Sequence, residues 1–313
     1  MWWLTLRLQR AELILLIIAV LAAGGAFVAT ANEAIEQART YTNPECPVSL
    51  TRIGETYDCR VEPSEFYRLV SENVPNLIVL PLLVALLLSI PVLMELHDRT
   101  YRLAWTQSAV RGNWVRTRLA LILVVGLGVT ALSILLVRWW LPTPSFWTSV
   151  RQFDLAGIVA LGWLVFAAGL VLAVGTVLRR PLVALVASAL MFVIARAAFM
   201  LEIRPFLIPP RSMTTNDPSM LGTDVWVIDD WYQRADGARL SQQQAIDLCV
   251  AQGRDQIAGW LESCQTANGF VRHFEYQPAS RYWPLQFAET GLVGVIGIAL
   301  IGWTVWYWLR RLE

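Results

Sequence analysis

The chain of 313 residues contains no lysine, so all 25 of its cations are arginine, and it has only two histidines. Without lysine there is no P-loop amine to cradle a phosphate, no Schiff base and no lysine base for a serine nucleophile. His97 and His273 fall on opposite sides of the membrane in the topology derived below, which leaves little material for a metal centre or a histidine relay. Charge is scarce as well: 16% of residues carry it, and a formal net charge of +1 supplies no basic field for nucleic acid. What is abundant is apolar surface, 56% of residues with a mean hydropathy of +0.49. One water-facing globule cannot bury that fraction, so the composition predicts an all-α polytopic membrane protein.

Apolar runs of about 19 to 24 residues, enough to cross about 30 Å of hydrocarbon as helix, recur six times. They fall near 13–31, 76–94, 119–137, 155–178, 181–203 and 288–308. Between them arginines gather at Arg7 and Arg10, at Arg99, Arg102, Arg111, Arg116 and Arg118, at Arg179 and Arg180, and at Arg310 and Arg311. The positive-inside rule makes those segments cytoplasmic, with both termini inside a cell membrane; Arg138 and Arg151 in a short outer loop do not outvote them. Arg7 and Arg10 before an apolar run ending in Ala29-Thr30-Ala31 also resemble a secretory signal. The run is long enough to span, and a retained helix is the expectation.

Two outer regions are too long to be turns, about 32–75 and about 204–287, and they hold all four cysteines. In an oxidising exterior, pairing of neighbours would join Cys46 to Cys59 and Cys249 to Cys264, each closure stabilising by roughly 3 kcal/mol. A zinc site from Cys249, Cys264 and His273 is the rival, although the spacing fits no standard finger. In the larger region Val225–Ile228 and Phe270–Tyr276 read as strands, Ser241 to Gln244 has capping-box spacing ahead of a helix, and Gln256–Cys264 continues helical. The expected division is therefore 1–203 for five transmembrane helices, 204–287 for a small disulfide-pinned α+β extracytoplasmic cap, and 288–313 for the sixth helix and tail.

The second and third spans are joined by a segment that no proline interrupts, and Tyr101/Trp105 and Val110/Trp114 are each spaced i,i+4. This predicts a helix over about 97–115 on the inner face, aromatics at headgroup depth and arginines toward water. On its residues alone it is either a docking surface or an ordinary interfacial anchor.

Glu95-Leu96 followed by Thr100-Tyr101-Arg102-Leu103-Ala104-Trp105-Thr106-Gln107-Ser108 closely resembles a signature of actinobacterial-type permease subunits of ATP-binding-cassette (ABC) transporters, in the six-helix second exporter class. Tyr276 to Gln286, then Glu289-Thr290-Gly291, looks like that family's approach to its last span, and Arg204-Pro205 with Pro209-Pro210 resembles its exit from the fifth. Arg99 departs from the pattern, standing where the family commonly has glycine. The resemblance implies a permease that pairs with a second copy or close homologue and sits on two cytoplasmic ATPase subunits. ATP and Mg would bind those partners, this chain holding no cofactor. The inner helix would be the coupling helix, with Tyr101, Arg102, Trp105, Thr106, Gln107 and Arg111 at the ATPase contact.

Within the membrane Arg196 is costly, at least about 2.5 kcal/mol at depth. Three roles are open to it: holding an anionic headgroup, pairing with Glu202 or Glu289, or snorkelling outward. Asp154 and Glu289 sit at expected span entrances, where solvated carboxylates or helix N-termini are the ordinary explanation. The tryptophans at 2, 3, 105, 114, 139, 140, 147, 283, 303, 306 and 308 read mostly as belt anchors at the water–lipid boundary. Gly291, Gly294, Gly297 and Gly302 permit close helix approach in the last span.

The family resemblance implies an exporter permease for a hydrophobic or amphiphilic, drug-like or lipid-like cargo. The alternative is a non-transporting membrane sensor or assembly protein that recruits a cytoplasmic partner. A faint serine-peptidase likeness around Ser212 and Ser219 fails for want of a lysine base.

Overall fold

The computed structural model describes residues 10–42, 64–100, 111–140, 150–222, 225–234, 236–251, 264 and 267–311. Its elements in chain order are α1 (Arg10–Thr42), α2 (Glu65–Asn73), a 3-10 stretch (Val74–Val79), α3 (Leu80–His97), α4 (Arg111–Trp140), α5 (Val150–Ala156), α6 (Val159–Leu178) and α7 (Pro181–Ala198). There follow β1 (Arg211–Thr214), β2 (Trp226–Gln233), β3 (Arg239–Leu240), α8 (Gln242–Ala251), β4 (Val271–Gln277) and α9 (Tyr282–Arg311). Among the described residues six helices are long and apolar enough to cross a membrane, those built on α1, α3, α4, α6, α7 and α9. The chain divides into two compact units, residues 1–144, 151–197 and 286–313 in the first and 145–150 and 198–285 in the second.

Several boundaries depart from the sequence expectation for identifiable reasons. Helix α1 runs to Thr42 instead of stopping near 31, because Asn32–Thr42 holds no proline or glycine and is rich in Glu, Ala, Gln and Arg. The Ala29-Thr30-Ala31 step lies inside that helix. The Thr30 hydroxyl donates to the Ala26 carbonyl at 2.8 Å and accepts from Trp140 Nε1 at 2.9 Å, which makes the step a packed helix contact. The fourth span begins at Val159, since the helix breaks at Gly157 and Ile158. Gln286 of α9 fills the break: its Nε2 donates to Phe153 O at 2.7 Å and its Oε1 accepts from Val159 N at 3.0 Å. A side chain at Gly157 would overlap the Gln286 amide and push it out of the break. The last helix starts at Tyr282 rather than 288, with Pro284 in its first turn, where a missing N–H breaks no helical bond.

In the first unit α6 is the most enclosed span, with Leu164, Ala168, Val171 and Leu172 buried, and it packs against α3, where Leu88 and Val92 are buried, and α4, where Leu121 and Ile122 are. Helices α6 and α9 meet backbone to backbone. A Cβ on Gly297 would lie 2.6 Å from Phe166 N, and one on Gly169 would lie 2.5 Å from Gly297 O. Gly291, Gly294 and Gly302 have nothing within 4 Å, so of the four glycines expected to allow close approach only Gly297 makes it. Leu182, Val186, Leu190 and Ile194 point outward from α7 and Val295 and Ile298 from α9, the surface of a bundle whose solvent is hydrocarbon.

The second unit is a four-stranded antiparallel sheet in the order β1-β4-β2-β3. Strands β1 and β3 were not legible in the sequence; at 4 and 2 residues they are too short to show a period. Ser241 and Gln244 form the expected capping box: Gln244 N donates to Ser241 Oγ at 3.2 Å and Ser241 N to Gln244 Oε1 at 2.9 Å. Helix α8 packs Ala245 and Cys249 against Tyr232 and Phe270, and Cys249 is disulfide-bonded to Cys264. This removes both thiols from any zinc site, and His273 is instead stacked on Trp231 and bonded to Thr214 and Gln233. Cys46 and Cys59, and the helix expected over 256–264 apart from Cys264, lie outside the described residues.

The α6–α9 contact makes a contrast to test. Gly297→Ala is expected to cost about 1 to 3 kcal/mol through overpacking, and Gly291→Ala to be near neutral, in thermal melts of the detergent-solubilised chain.

Candidate functional site

The segment from α3 to α4 holds the residues expected to contact an ATPase. Tyr101, Arg102, Trp105, Thr106 and Gln107 lie outside the described residues, while Arg111 is exposed at the start of α4. His97 and residues 111–115, expected as the ends of a separate helix, belong to the last turn of α3 and the first turns of α4. Helix α3 closes with Asp98 N donating to Met94 O at 2.9 Å, and Arg99 then takes a left-handed φ of 55°. That conformation is free to glycine and strained for other residues. The chain thus keeps the turn that a glycine would make here and places an arginine in it.

Just inside the two helix ends stands a polar brace. Glu95 accepts from Arg118 Nη2 through Oε1 and from Trp114 Nε1 at 3.1 Å through Oε2. The Arg118 side chain is 5% exposed and that of Glu95 17%. The Trp114 ring lies 5.5 Å from Trp308 of α9, and Trp308 Nε1 donates to Thr176 Oγ1 of α6 at 2.8 Å. At the rim of the same end His97 Nδ1 donates to Arg179 O at 2.9 Å, and Arg179 Nη2 donates to Tyr307 Oη at 3.1 Å.

A second cluster is centred on Arg196. Its Nη2 pairs with Asp154 Oδ1 at 2.5 Å and its Nη1 with Glu289 Oε1 at 3.2 Å, and its guanidinium lies 4.4 Å from the Trp163 ring centroid. Trp163 Nε1 donates to the same Glu289 oxygen at 2.9 Å. The arginine side chain is 10% exposed and the two carboxylates 1% and 0%, so Arg196 does not snorkel and neither acid is solvated. Glu202, the other partner considered for it, is exposed. Asp154 lies on the short helix α5, ahead of the span, and is buried by its pairing with Arg196 instead of standing solvated at a span entrance. Beside the cluster is a cavity of about 20 Å³ lined by Thr130, Ser133, Asp154, Trp163 and Arg196 among apolar side chains. It has room for about one water, far short of the several hundred Å³ of a drug-sized site.

The tryptophans also correct the sequence reading. Trp114, Trp140 and Trp308 are at most 5% exposed, each with its indole N–H bonded to another helix, so they are internal struts. Trp139, Trp283, Trp303 and Trp306 remain outward-facing.

The stretch from residue 11 to residue 204, well over half of the chain, matches the family model for ABC-2 membrane transporter related proteins. The chain belongs to this family. It is therefore a multi-pass membrane protein of the ABC-2 permease type, a transport component. No curated protein and no solved structure matches it. The ABC-2 match takes in Glu95, Arg118, Asp154 and Arg196 and stops short of the sheet and α9. Two stretches singled out by resemblance meet there. Gln277 Nε2 donates to Pro205 O at 3.2 Å and Ile208 O at 2.7 Å, and Arg281 bonds Pro209 O and Gln277 Oε1. They tie down the chain beyond the π turn Phe199–Ile203.

Two outcomes are expected in thermal melts of the solubilised protein. Arg196→Gln should lower stability by about 3 to 5 kcal/mol, because it leaves buried carboxylates without their cation. Arg99→Gly should not destabilise, whereas Arg99→Val should cost at least about 1 kcal/mol for a branched side chain in a left-handed turn.

Proposed function

We propose that the chain is the membrane-spanning half of an ABC exporter. It moves a hydrophobic or amphiphilic, drug-like or lipid-like molecule outward, while ATP and Mg are bound and hydrolysed on separate cytoplasmic ATPase subunits. The observation that carries this reading is the ABC-2 family match over the stretch containing the α3–α4 junction. The arginine distribution supports a cytoplasmic place for that junction and for both termini. Tyr101, Arg102, Trp105, Thr106, Gln107 and Arg111 form the contact with the ATPase. Closure of the ATPases on nucleotide displaces the junction and so favours one of two packings of the spans.

The cargo route does not run through the Arg196 cluster, whose cavity holds no more than about one water. It runs where this chain meets a second copy or close homologue, along outward faces made of leucine, isoleucine and valine. Such faces select by shape and apolar area. The sheet-bearing unit lies outside the membrane.

Purification of the intact assembly is expected to bring down a companion with nucleotide-binding motifs. Arg102→Ala or Trp105→Ala should weaken that association roughly tenfold or more, the scale of an interface anchor. A companion lacking such motifs would favour the sensor or assembly role instead. Labelling of a cysteine placed at 105 from the outside of sealed cells would sink the topology.

A further inference from the structure

The brace beneath the α3–α4 junction is more than a local tie. Glu95 holds α3 to α4 through Arg118 and Trp114, both buried, so the two helices that carry the junction are joined directly at its base. From Trp114 the contact passes to the ring of Trp308, which is 0% exposed, and from Trp308 Nε1 to the Thr176 hydroxyl. Thr176 in turn donates to Leu172 O at 2.7 Å, within the most enclosed helix of the bundle. Four helices are thus linked in series at one end: α3, α4, α9 and α6. Helices α3 and α6 also pack directly on each other, so closely that a side chain at Gly175 would overlap Leu93.

One member of the series is held incompletely. Among the described residues the buried Nε and Nη1 atoms of Arg118 have no hydrogen-bond partner, and Nη2 is engaged by Glu95. A buried guanidinium gains from each acceptor it finds, so Arg118 is the member of the series most sensitive to how the helices around it are packed. A second packing that gives those donors acceptors would be stabilised relative to this one, which is the property a two-state element requires.

We infer that Glu95, Trp114, Trp308 and Thr176 are positioning residues of the transport cycle, the Trp308–Thr176 hydrogen bond delivering displacement of the α3–α4 junction to α6 and α9. This rests on the ABC exporter reading above. The link is made by one donor and one acceptor, which permits a test that separates transmission from packing. Thr176→Val keeps the volume and removes the acceptor, Thr176→Ser keeps the acceptor, and Trp308→Phe keeps an aromatic ring beside Trp114 and removes the donor.

The assay uses the full assembly with its ATPase subunits in lipid nanodiscs, and reads companion stoichiometry, melting temperature, and kcat and KM for ATP. Thr176→Val and Trp308→Phe are expected to keep stoichiometry and KM and to lower kcat by similar factors, roughly fivefold, the scale of one hydrogen bond. The double variant should be no slower than either single one, and Thr176→Ser should match the parent. Parental kcat in Thr176→Val, multiplicative losses in the double variant, or a Thr176→Ser as slow as Thr176→Val would overturn the inference. So would loss of the companion or a large fall in melting temperature in Thr176→Val with no rescue in Thr176→Ser, since the contact would then be structural only. Absence of any ATPase from the unmutated assembly would bring down the exporter reading itself, and this inference with it.

Discussion

Hydrocarbon offers no hydrogen bonds, so a polar group inside the bundle is stabilised by a partner within the protein. That constraint recurs along the first unit. Arg196 is held by Asp154 and Glu289, and Glu95 by Arg118 and Trp114. The break between α5 and α6 exposes backbone groups that only a side chain can satisfy, and Gln286 does so on both sides of it. Trp114, Trp140, Trp163 and Trp308, all buried, point their indole N–H groups at a neighbouring helix. Apolar packing alone distinguishes poorly between a protein neighbour and lipid, because both are oily. The polar contacts and the glycine-mediated approach of α6 and α9 are therefore what fix which helix meets which.

The sequence makes the number of spans plain, since a run of apolar residues long enough to cross the bilayer needs no partner to be recognised. Helix starts and stops were less legible. Gly157 and Ile158 sit in an uninterrupted apolar stretch, and nothing local announces that Gln286, far along the chain, will occupy a break there. In the second unit the capping box at Ser241 and the Cys249–Cys264 pair were readable because each is a local pattern. Strand β3, two residues long, exists only by pairing with β2.

The polar cluster was half legible. An arginine in the fifth span had to have a reason, and Glu289 was a candidate partner on grounds of depth. Asp154 looked like a surface residue, as it falls one position before the apolar run. Trp163 gave no signal, because a tryptophan in a span reads as one more apolar residue until its N–H is seen on Glu289. The same blindness assigned Trp114, Trp140 and Trp308 to the lipid boundary. Depth along a helix can be read from sequence, whereas the direction a side chain takes around the axis needs neighbours.

Gln286, Gly297 and Trp308 fasten α9 to the α5–α6 pair at three heights: across the helix break, at Gly169, and at Thr176. A rod riveted at three levels cannot slide or tilt against its mate without shearing all of them. The fourth and sixth spans must therefore travel as one rigid plank. The outward rows of leucine and isoleucine on the first and fifth spans can glide over whatever they face, while Thr30 and Arg196 on their inner sides keep those spans fastened to α4 and to α5 and α9.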